Sequence, residues 1–182
     1  EFYFGLALLW MLLIMAGFVV LKGRVFTLIK RIKDPILLAF STSSSEAAFP
    51  KTMMELERFG CKDKIVSFVL PLGYSFNLDG SMMYMTFASI FIAQSFGIHL
   101  DIATQVSMLL VLMLTSKGIA GVPRASLVVI AGTLATFNIP EAGIALLLGI
   151  DPLLDMGRSA TNVVGNSIAT AVVSKWEGEL ED

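Results

Sequence analysis

Polar and charged residues recur along one side of the last apolar segment of the sequence, residues 146–175. The stripe consists of Asp151, Asp155, Arg158, Ser159, Asn162 and Asn166. At about 100° per residue these positions fall within about 100° of arc on a helix, and mostly apolar residues fill the rest of its circumference. A guanidinium can grip a carboxylate through two hydrogen bonds, and Asp155 can accept from an ammonium. The stripe therefore fits a small zwitterion with an extra carboxylate, unless Asp155 and Arg158 only neutralise each other at i, i+3.

A second polar group interrupts an apolar run in the middle of the chain. Residues 65–98 form an apolar run in which Asp79 is the one charged residue, within the sequence Asn-Leu-Asp-Gly at 77–80. Unwound backbone inside a membrane helix exposes carbonyl oxygens, and Asp79 adds a carboxylate, so that Asn77 and Asp79 suit a small cation such as Na⁺. The same four residues also match an ordinary turn. Their place inside a long apolar span favours the cation site.

Two further segments have residue types that suit the tips of helical hairpins. Hydroxyl and amide groups at a helix N-terminus bind carboxylates, which gives the Ser/Thr run at 41–45 a possible role in binding an acid. Glycines in the segment from Gly118 to Pro123 permit tight turns and hinge motion. The alternatives without a role in binding or gating are a flexible polar loop for the first segment and, for the second, the Gly and Pro residues that any hairpin turn contains.

The composition places these groups in a membrane. Of the 182 residues, 55% are hydrophobic and 15% are charged, whereas soluble domains have about 25% charged residues. The net charge of −2 provides no basic field for nucleic acid. The single cysteine, Cys61, cannot form an internal disulfide.

Charges along the chain predict its orientation. Residues 2–21 form an uncharged run, which as a helix spans about 30 Å. The run is too long, and lacks the basic start, for a secretory signal. Ten of the 13 Lys and Arg residues fall in segments that the positive-inside rule places in the cytoplasm.

Five membrane elements follow from this pattern, and the predicted fold class is an all-α membrane protein. Short apolar segments with like flanks are expected to be re-entrant. Two units related by inversion, each a hairpin followed by a helix, are typical of secondary transporters, and the alternative is a polytopic helical protein without hairpins. The elements are a transmembrane helix at 2–24, a re-entrant hairpin at 27–60, a broken transmembrane helix at 65–98, a second hairpin at 102–140 and a substrate-binding helix at 146–175.

Four segments, SSSEAAFP, GYSFNLDGS, SKGIAGVP and LDMGRSATNVVGN, resemble the successive signatures of the dicarboxylate/amino acid:cation symporters, the glutamate transporter homologues. The resemblance covers essentially the whole chain and corresponds to about the C-terminal half of a family member. It implies that the chain is part of the transport domain of an elevator, with the hairpins as inner and outer gates. It also implies a homotrimer, formed through scaffold helices outside this sequence.

The resemblance also implies roles for individual residues. Asp155 would bind the amino group of the substrate and Arg158 its side-chain carboxylate. The implied substrate-binding residues are Ser44, Ser45, Gly121, Val122, Asp155, Arg158, Ser159 and Asn162. The implied cation-binding residues are Gly73, Ser75, Asn77, Asp79, Ser116, Lys117, Asn162 and Asn166, with Asn77 and Asp79 as the metal ligands if the ion is Na⁺.

Three positions depart from the family pattern. Asn166 stands where sodium-coupled members have Asp, so the second cation site lacks its carboxylate. Glu46 stands where many members have Ser, and a buried carboxyl whose pKa is raised by desolvation could carry a proton. Arg124 replaces a small residue at the outer tip, and we expect it to pair with Glu46 or with a bound carboxylate.

The sequence thus predicts a secondary active symporter of the bacterial inner membrane, not an enzyme and without a cofactor. It takes up glutamate or aspartate with H⁺ and/or Na⁺. Asp155 favours an amino acid over the alternative substrate, a C4-dicarboxylate such as succinate. An intramembrane aspartyl protease built on Asp79 and Asp155 is a remote alternative, because Arg158 would hold Asp155 ionised. A passive channel is a further alternative, which two closing tips disfavour.

Overall fold

The computed structural model describes residues 1–76, 78–117 and 125–181, which form ten α-helices and one 3₁₀ turn. Within these ranges the all-α prediction is confirmed, and the one departure from helix and loop is an isolated β-bridge between Cys61 and Leu180. The helices are α1 (Phe2–Leu21), α2 (Arg24–Arg31), α3 (Lys33–Thr42), α4 (Ser45–Phe59), α5 (Asp63–Phe76), α6 (Asp79–Ser95), α7 (Ile102–Thr115), α8 (Ala125–Thr136), α9 (Ile144–Leu148) and α10 (Asp151–Trp176), with the 3₁₀ turn at Glu141–Gly143.

The first helix, α1, is apolar over its full length, with a mean hydropathy of 2.6 in its most apolar window. Its 20 residues span about 30 Å, the thickness of a hydrocarbon core. Most of its surface is uncovered, since only Phe2, Leu6, Gly17 and Leu21 are buried. Among the described residues it is the one helix that is long and apolar enough to cross a bilayer, and α7 and residues 126–136 are shorter apolar helices.

Helices α3 and α4 form a pair joined by a tight turn. Ser43 ends α3 in the left-handed conformation, with φ 51° and ψ 32°. Ser44 is extended and caps α4, because its hydroxyl oxygen accepts a 3.2 Å hydrogen bond from the amide of Ala47. The serines therefore reverse the chain and start the second helix at the same point.

Helices α5 and α6 divide the central apolar run. α5 ends at Phe76 and α6 begins at Asp79, with Leu78 as its N-terminal flanking residue. Asn77 lies outside the described residues. Four carbonyls at the end of α5 and four amides at the start of α6 consequently have no partner within their own helix.

The last apolar segment is divided, although residues 146–175 were predicted as a single helix. The structure has the short helix α9, then Gly149 and Ile150, and then α10 from Asp151. Pro152 stands in the first turn of α10. It has no amide hydrogen and its ring would clash with the carbonyl of Leu148 in a continuous helix, which favours the start of a new helix here.

Helix α10 is the centre of the fold, and it packs against α1, α3, α4, α5 and α6. Two apolar clusters cover its ends, and its polar stripe lies between them. The first cluster joins the start of α1 to α6, α7, α8 and α9, with Phe2, Tyr84, Met85, Ile92, Leu112, Ile130 and Leu147 among its buried members. The second joins α2, α4, α5 and the later half of α10, with Leu28, Leu56, Leu70, Tyr74, Val164 and Ile168 among its buried members.

Candidate functional site

The polar stripe of α10 faces protein rather than open space. Ser159, Asn162 and Asn166 are almost completely buried, and the side chains of Asp155 and Arg158 are 18% and 17% exposed. At mid-membrane depth an ionised group costs about 2.5–3.5 kcal/mol to insert, so these charges need polar partners. The partners come from two other helices, α6 and α8, in addition to the ion pair within α10.

Arg158 is the centre of the most densely bonded part of the site. One of its terminal nitrogens, Nη2, forms an ion pair with Asp155. The other, Nη1, donates to the hydroxyl oxygens of Ser81 at 3.3 Å and Ser126 at 3.0 Å. Its Nε is buried and has no hydrogen-bond partner among the described residues. The guanidinium is thus held in place by α6 and α8 and retains a donor for a further acid group.

Asn162 connects α10 to the start of α6. Its Oδ1 accepts hydrogen bonds from the amides of Gly80, at 2.9 Å, and Ser81, at 3.2 Å. Its Nδ2 donates to the hydroxyl of Ser81 at 3.1 Å. Because the first amides of a helix lack intrahelical partners, Asn162 acts as an N-terminal cap supplied by another helix. Its side chain is therefore committed to α6.

The tip between α3 and α4 brings Ser44, Ser45 and Glu46 together. Both hydroxyls donate to Oε2 of Glu46, at 3.2 Å from Ser44 and 3.4 Å from Ser45. The carbonyl of Ser45 accepts a 3.1 Å hydrogen bond from the hydroxyl of Tyr74 on α5. Both helices that meet at this tip, α3 and α4, pack on α10. The tip therefore lies beside α10.

Asp79 and Asn166 lie on either side of the contact between α10 and the broken pair α5–α6. The carboxylate of Asp79 occupies the space where a Cβ on Gly165 would stand. The side-chain amide of Asn166 lies equally close to Gly73, and neither of its polar atoms has a partner among the described residues. A carboxylate and an unpartnered amide oxygen, each against helix backbone, are groups that could bind a monovalent cation.

Of the remaining predicted cation residues, Ser75 bonds within its own helix, whereas Ser116 and Lys117 also reach other helices. Ser75 donates to the carbonyl of Pro71 at 3.1 Å. Ser116 donates to the sulfur of Met82, at 3.4 Å, and to the carbonyl of Met113, at 3.3 Å. Lys117 reaches a different helix, because its Nζ donates to the carbonyl of Phe76 at 2.6 Å.

Several predicted residues cannot be placed. Asn77 and the segment 118–124, which includes Gly121, Val122 and the predicted pairing residue Arg124, lie outside the described residues. No group of three or more His, Cys, Asp or Glu residues that could hold a metal ion occurs in the described part of the chain.

Sequence reasoning missed several residues that support the site. Ser81 and Ser126 hold Arg158, and Tyr74 holds the first tip. Tyr84 donates a buried 2.5 Å hydrogen bond to Oδ1 of Asp151. A signal for Ser81 was available, since it ends the segment GYSFNLDGS and lies two residues after Asp79. Single hydroxyls on apolar helices gave no comparable signal at the other positions.

The end of α10 is fastened to the turn between α4 and α5. Glu179 forms ion pairs with Lys62, at 2.9 Å, and Lys64, at 2.5 Å. The two lysines hold the pKa of the Glu179 carboxyl below its ordinary value. Backbone bonds from Lys62 to Glu179 and from Glu181 to Gly60 complete the contact. We refer to residues 60–64 and 177–181 together as the terminal clasp.

Comparison with known proteins places this arrangement among transporters. The proton/sodium-glutamate symport protein of Geobacillus stearothermophilus is 54% identical over 172 residues, which are 91% of this chain and 41% of that protein. The proton/glutamate-aspartate symporter of Escherichia coli is 48% identical over 177 residues, 96% of this chain and 40% of that protein. The C4-dicarboxylate transport protein of Agrobacterium fabrum is 51% identical over 158 residues, 86% of this chain and 35% of that protein.

The chain spans about two fifths of the length of these relatives. The sequence profile of the sodium:dicarboxylate symporter family matches residues 2–176, nearly the whole chain. Members of this family are membrane transporters driven by coupling ions. The chain belongs to the sodium:dicarboxylate symporter family.

Proposed function

We propose that the protein containing this chain is a secondary active symporter that takes up acidic L-amino acids, glutamate or aspartate, together with H⁺ and/or Na⁺. The observation that carries the proposal is the fixed guanidinium of Arg158 beside the carboxylate of Asp155. Both side chains are mostly buried but keep 17% and 18% of their surface exposed. An acidic amino acid carries one more carboxylate than a neutral zwitterion, and this pair offers one charge for that carboxylate and one for the ammonium.

In this proposal Arg158 binds the side-chain carboxylate of the substrate. The hydroxyl oxygens of Ser81 and Ser126 hold the guanidinium in one orientation by accepting hydrogen bonds from its Nη1. Arg158 therefore loses little side-chain entropy when the substrate binds. Asp155 accepts from the substrate ammonium, which replaces part of its present pairing with Arg158. Ser44, Ser45 and Ser159 provide further polar contacts, with Gly121 and Val122 covering the substrate from the other side.

The coupling ions are assigned to the region where α5 and α6 meet α10. Asp79 and Asn77 form one cation site. The backbone carbonyls of Gly73, Asn77 and Asn162 contribute to a second, in which the amide of Asn166 stands in place of a carboxylate. Ser75, Ser116 and Lys117 contribute to a third. Glu46 is the candidate proton carrier, supported by its two hydroxyl donors.

We further propose that the pairs α3–α4 and α7–α8 are re-entrant hairpins that enter the bilayer from opposite sides and act as gates. The chain then forms part of a transport domain that moves as an elevator in the bacterial inner membrane. Helices of the complete protein beyond this chain assemble it as a homotrimer. The relatives at about half sequence identity support the family assignment of this mechanism.

A C4-dicarboxylate such as succinate is the second candidate substrate. It is favoured by relatives of nearly equal identity that are named C4-dicarboxylate transport proteins. Succinate has two carboxylates and no ammonium, so it would pair with Arg158 but leave Asp155 without its proposed partner. The variant Asp155→Asn separates the two substrates, since it should weaken aspartate binding far more than succinate binding.

The test is counterflow of labelled aspartate in liposomes that contain the full-length protein, with pH and Na⁺ varied independently. Unlabelled glutamate and aspartate should compete at lower concentrations than succinate. Competition by succinate alone would transfer the assignment to C4-dicarboxylates. Accumulation of aspartate above its outside concentration, driven by an imposed ion gradient, excludes a passive channel.

A further inference from the structure

An apolar groove runs along α1, on the side of that helix that faces α3 and α10. The groove has a volume of about 950 Å³ and extends from Tyr3 near the start of α1 to Phe18 near its end. At about 1.5 Å per residue, this stretch of α1 is about 22 Å long. One leaflet contributes half of a hydrocarbon core of about 30 Å, so the groove is long enough to follow an alkyl chain through a leaflet.

The lining of the groove offers hydrocarbon surface and no open hydrogen-bonding group. The small residues Gly157 and Ala160 of α10 line it, together with Thr161. The indole nitrogen of Trp10 donates to the hydroxyl oxygen of Thr161 at 2.8 Å, and that hydroxyl donates to the carbonyl of Gly157 at 2.8 Å. The polar groups along the groove are thus bonded to the protein, and the surface that they leave suits an apolar guest.

The end of the groove beside α2 has exposed lysines next to it. Phe26 of α2 belongs to the groove, and its ring centroid is 6.1 Å from that of Phe18 on α1. Residues four apart on a helix share a face, so Lys30 lies on the same side of α2 as Phe26. In sequence, three lysines each lie four residues from a groove residue, with Lys22 after Phe18, Lys30 after Phe26 and Lys33 before Leu37.

The described part of the chain does not neutralise these three lysines. Their side chains have no ion pair or hydrogen bond within it. Residues 22–33 contain five basic residues and no acid, and the acid that follows, Asp34, is paired with Lys51 at 3.7 Å. By the positive-inside rule this end of α1 faces the cytoplasm. Basic clusters beside a membrane helix on that side attract the headgroups of anionic lipids.

We propose that the groove binds an anionic phospholipid of the cytoplasmic leaflet, with an acyl chain along α1 and the phosphate headgroup between Lys22, Lys30 and Lys33. The apolar groove and the cationic end match the two parts of such a molecule. Because α3 and α10 border the same groove, the lipid fills the space between α1 and the first helix pair. The inference does not depend on the substrate or the coupling ion proposed above.

A helix of the complete protein is another object that would cover this groove. A volume of about 950 Å³ along about 22 Å gives a mean width of about 7 Å. A helix with its side chains is about 10–12 Å across, so the groove takes in a narrower object. Lysines that served only to orient the chain in the membrane would need no ligand, and the folded protein would then be indifferent to the headgroup of an added lipid.

The experiment uses the full-length protein in an uncharged detergent and follows its thermal unfolding midpoint as phosphatidylglycerol or phosphatidylcholine is added. Wild type should be stabilised at about a hundredfold lower concentration of phosphatidylglycerol, the ratio expected for three lysines at about fivefold each. High NaCl should reduce this preference, since salt screens exposed charges. Glycerol 3-phosphate has the charge but no acyl chain and should not stabilise the protein.

A pair of matched double variants tests the headgroup contact. Lys30→Gln/Lys33→Gln should lose about twentyfold of the preference for phosphatidylglycerol. Arg58→Gln/Lys175→Gln removes the same charge from exposed positions away from the groove and should keep the preference of wild type. If the first variant does not insert into the membrane, the salt dependence of wild type decides, and a preference that persists in high salt would overturn the inference.

A second pair of variants tests the acyl-chain contact. Ala7 is an exposed groove residue, so Ala7→Trp should fill the groove and weaken binding of both lipids. Leu8, 42% exposed, lies outside the groove, and Leu8→Trp should bind them as wild type does. If Ala7→Trp does not fold, phosphatidylglycerol brominated on its acyl chains decides, since it should quench the fluorescence that Trp10→Phe removes, and an unquenched Trp10 would overturn the inference.

Four results would overturn the inference directly. They are equal stabilisation of wild type by the two lipids, an unchanged preference in Lys30→Gln/Lys33→Gln, unchanged lipid binding in Ala7→Trp, and stabilisation by glycerol 3-phosphate as strong as that by phosphatidylglycerol. The third is the result expected if a helix of the complete protein covers the groove, and the fourth if the lysines bind a free anion. None of these measurements uses aspartate, so their failure leaves the proposed function untouched.

Discussion

The two helix pairs of this chain are attached to the rest of the molecule in different ways. Both arms of the pair α3–α4 pack directly on α10, where Ala39 and Ala48 are buried against Val163. The arms of the pair α7–α8 pack on α6 and on each other, and the hydrogen bond from Arg158 to Ser126 connects α8 to the polar stripe. A gate that must open cannot be part of the core. The first pair is therefore attached more directly to α10, and in the gating proposed above α7–α8 is the pair expected to move relative to that helix.

Removal of Arg158 should have the largest effect, because both pairs converge on the site that it organises. Arg158→Ala removes the donor proposed for the substrate carboxylate, a loss of about 3 kcal/mol or roughly a hundredfold in aspartate affinity. Uptake of labelled aspartate into liposomes measures it. Arg58→Ala is the matched control, since Arg58 forms an exposed 2.7 Å ion pair with Glu55 on the surface of α4. Retained uptake in Arg158→Ala would refute the assigned role.

The next largest effect is expected on the stability of the contact between α10, on which the first pair packs, and α6. Asn162→Leu leaves the buried amides of Gly80 and Ser81 without their acceptor, which should cost about 1–3 kcal/mol per unpaired group. Thermal unfolding of the full-length protein should show a clear fall in its midpoint. Ser116→Ala, at the end of α7, should cost less than about 1 kcal/mol, because its hydroxyl donates only to a weakly accepting sulfur, that of Met82, and to a carbonyl of its own helix. Equal losses in the two variants would contradict the distinction between the pairs.

Tyr74→Phe tests how the first tip is fixed. The change removes the hydroxyl that donates to the carbonyl of Ser45 and should cost about 0.5–1.5 kcal/mol. Hydrogen exchange should become faster at residues 43–47 and remain unchanged in α7. Ser126→Ala is the counterpart in the second pair and should raise exchange in α8 without affecting the first tip. Exchange that rises in both regions with either variant would mean that the pairs move together.

The smallest effect is expected from the terminal clasp, whose ion pairs are exposed. Lys62 and Lys64 lower the pKa of Glu179 from its ordinary value of 4.5. Its folded-state pKa is depressed, so its contribution to stability is fully present above that value and is lost as the pH falls through the lower folded-state pKa. The difference in unfolding midpoint between wild type and Glu179→Gln should be constant near neutral pH and disappear in acid. A difference that persists in acid would show that the ion pairs are not its source.

Much of the architecture was predictable because the membrane imposes simple rules. An uncharged run of membrane length can only be a helix, and the observed bounds of α1 are Phe2–Leu21. The polar stripe was visible because six positions fell on one side of a helix, and the structure buries Ser159, Asn162 and Asn166 there. Periodicity thus identified the polar side of the helix, although every residue from 159 to 168 is buried, the apolar ones included.

The partners of these residues were not predictable, because they depend on how separate helices meet. Nothing in the sequence indicates that Ser126 reaches Arg158, or that Lys117 bonds Phe76 rather than a nearby acid. The side chain of Asn162 was expected to contact the substrate and its backbone carbonyl a cation, and the bonds of its Oδ1 to the amides at the start of α6 were not foreseen. The break before α10 was missed because the apolar character of the segment outweighed Gly149 and Pro152.

The absence of a side chain at Gly165 bears on the coupling between the proposed cation and substrate sites. The carboxylate of Asp79 fills the space that any larger residue at 165 would need, and Asn162, which lies on the same face of the helix, bonds the next two residues of α6. A cation that neutralises the Asp79 carboxylate would therefore act within one helical turn of Asn162, which is one of the residues predicted to contact the substrate. Under the symport proposed above, binding of the ion and binding of the substrate would be linked through this contact between α6 and α10 and through the bonds of Asn162.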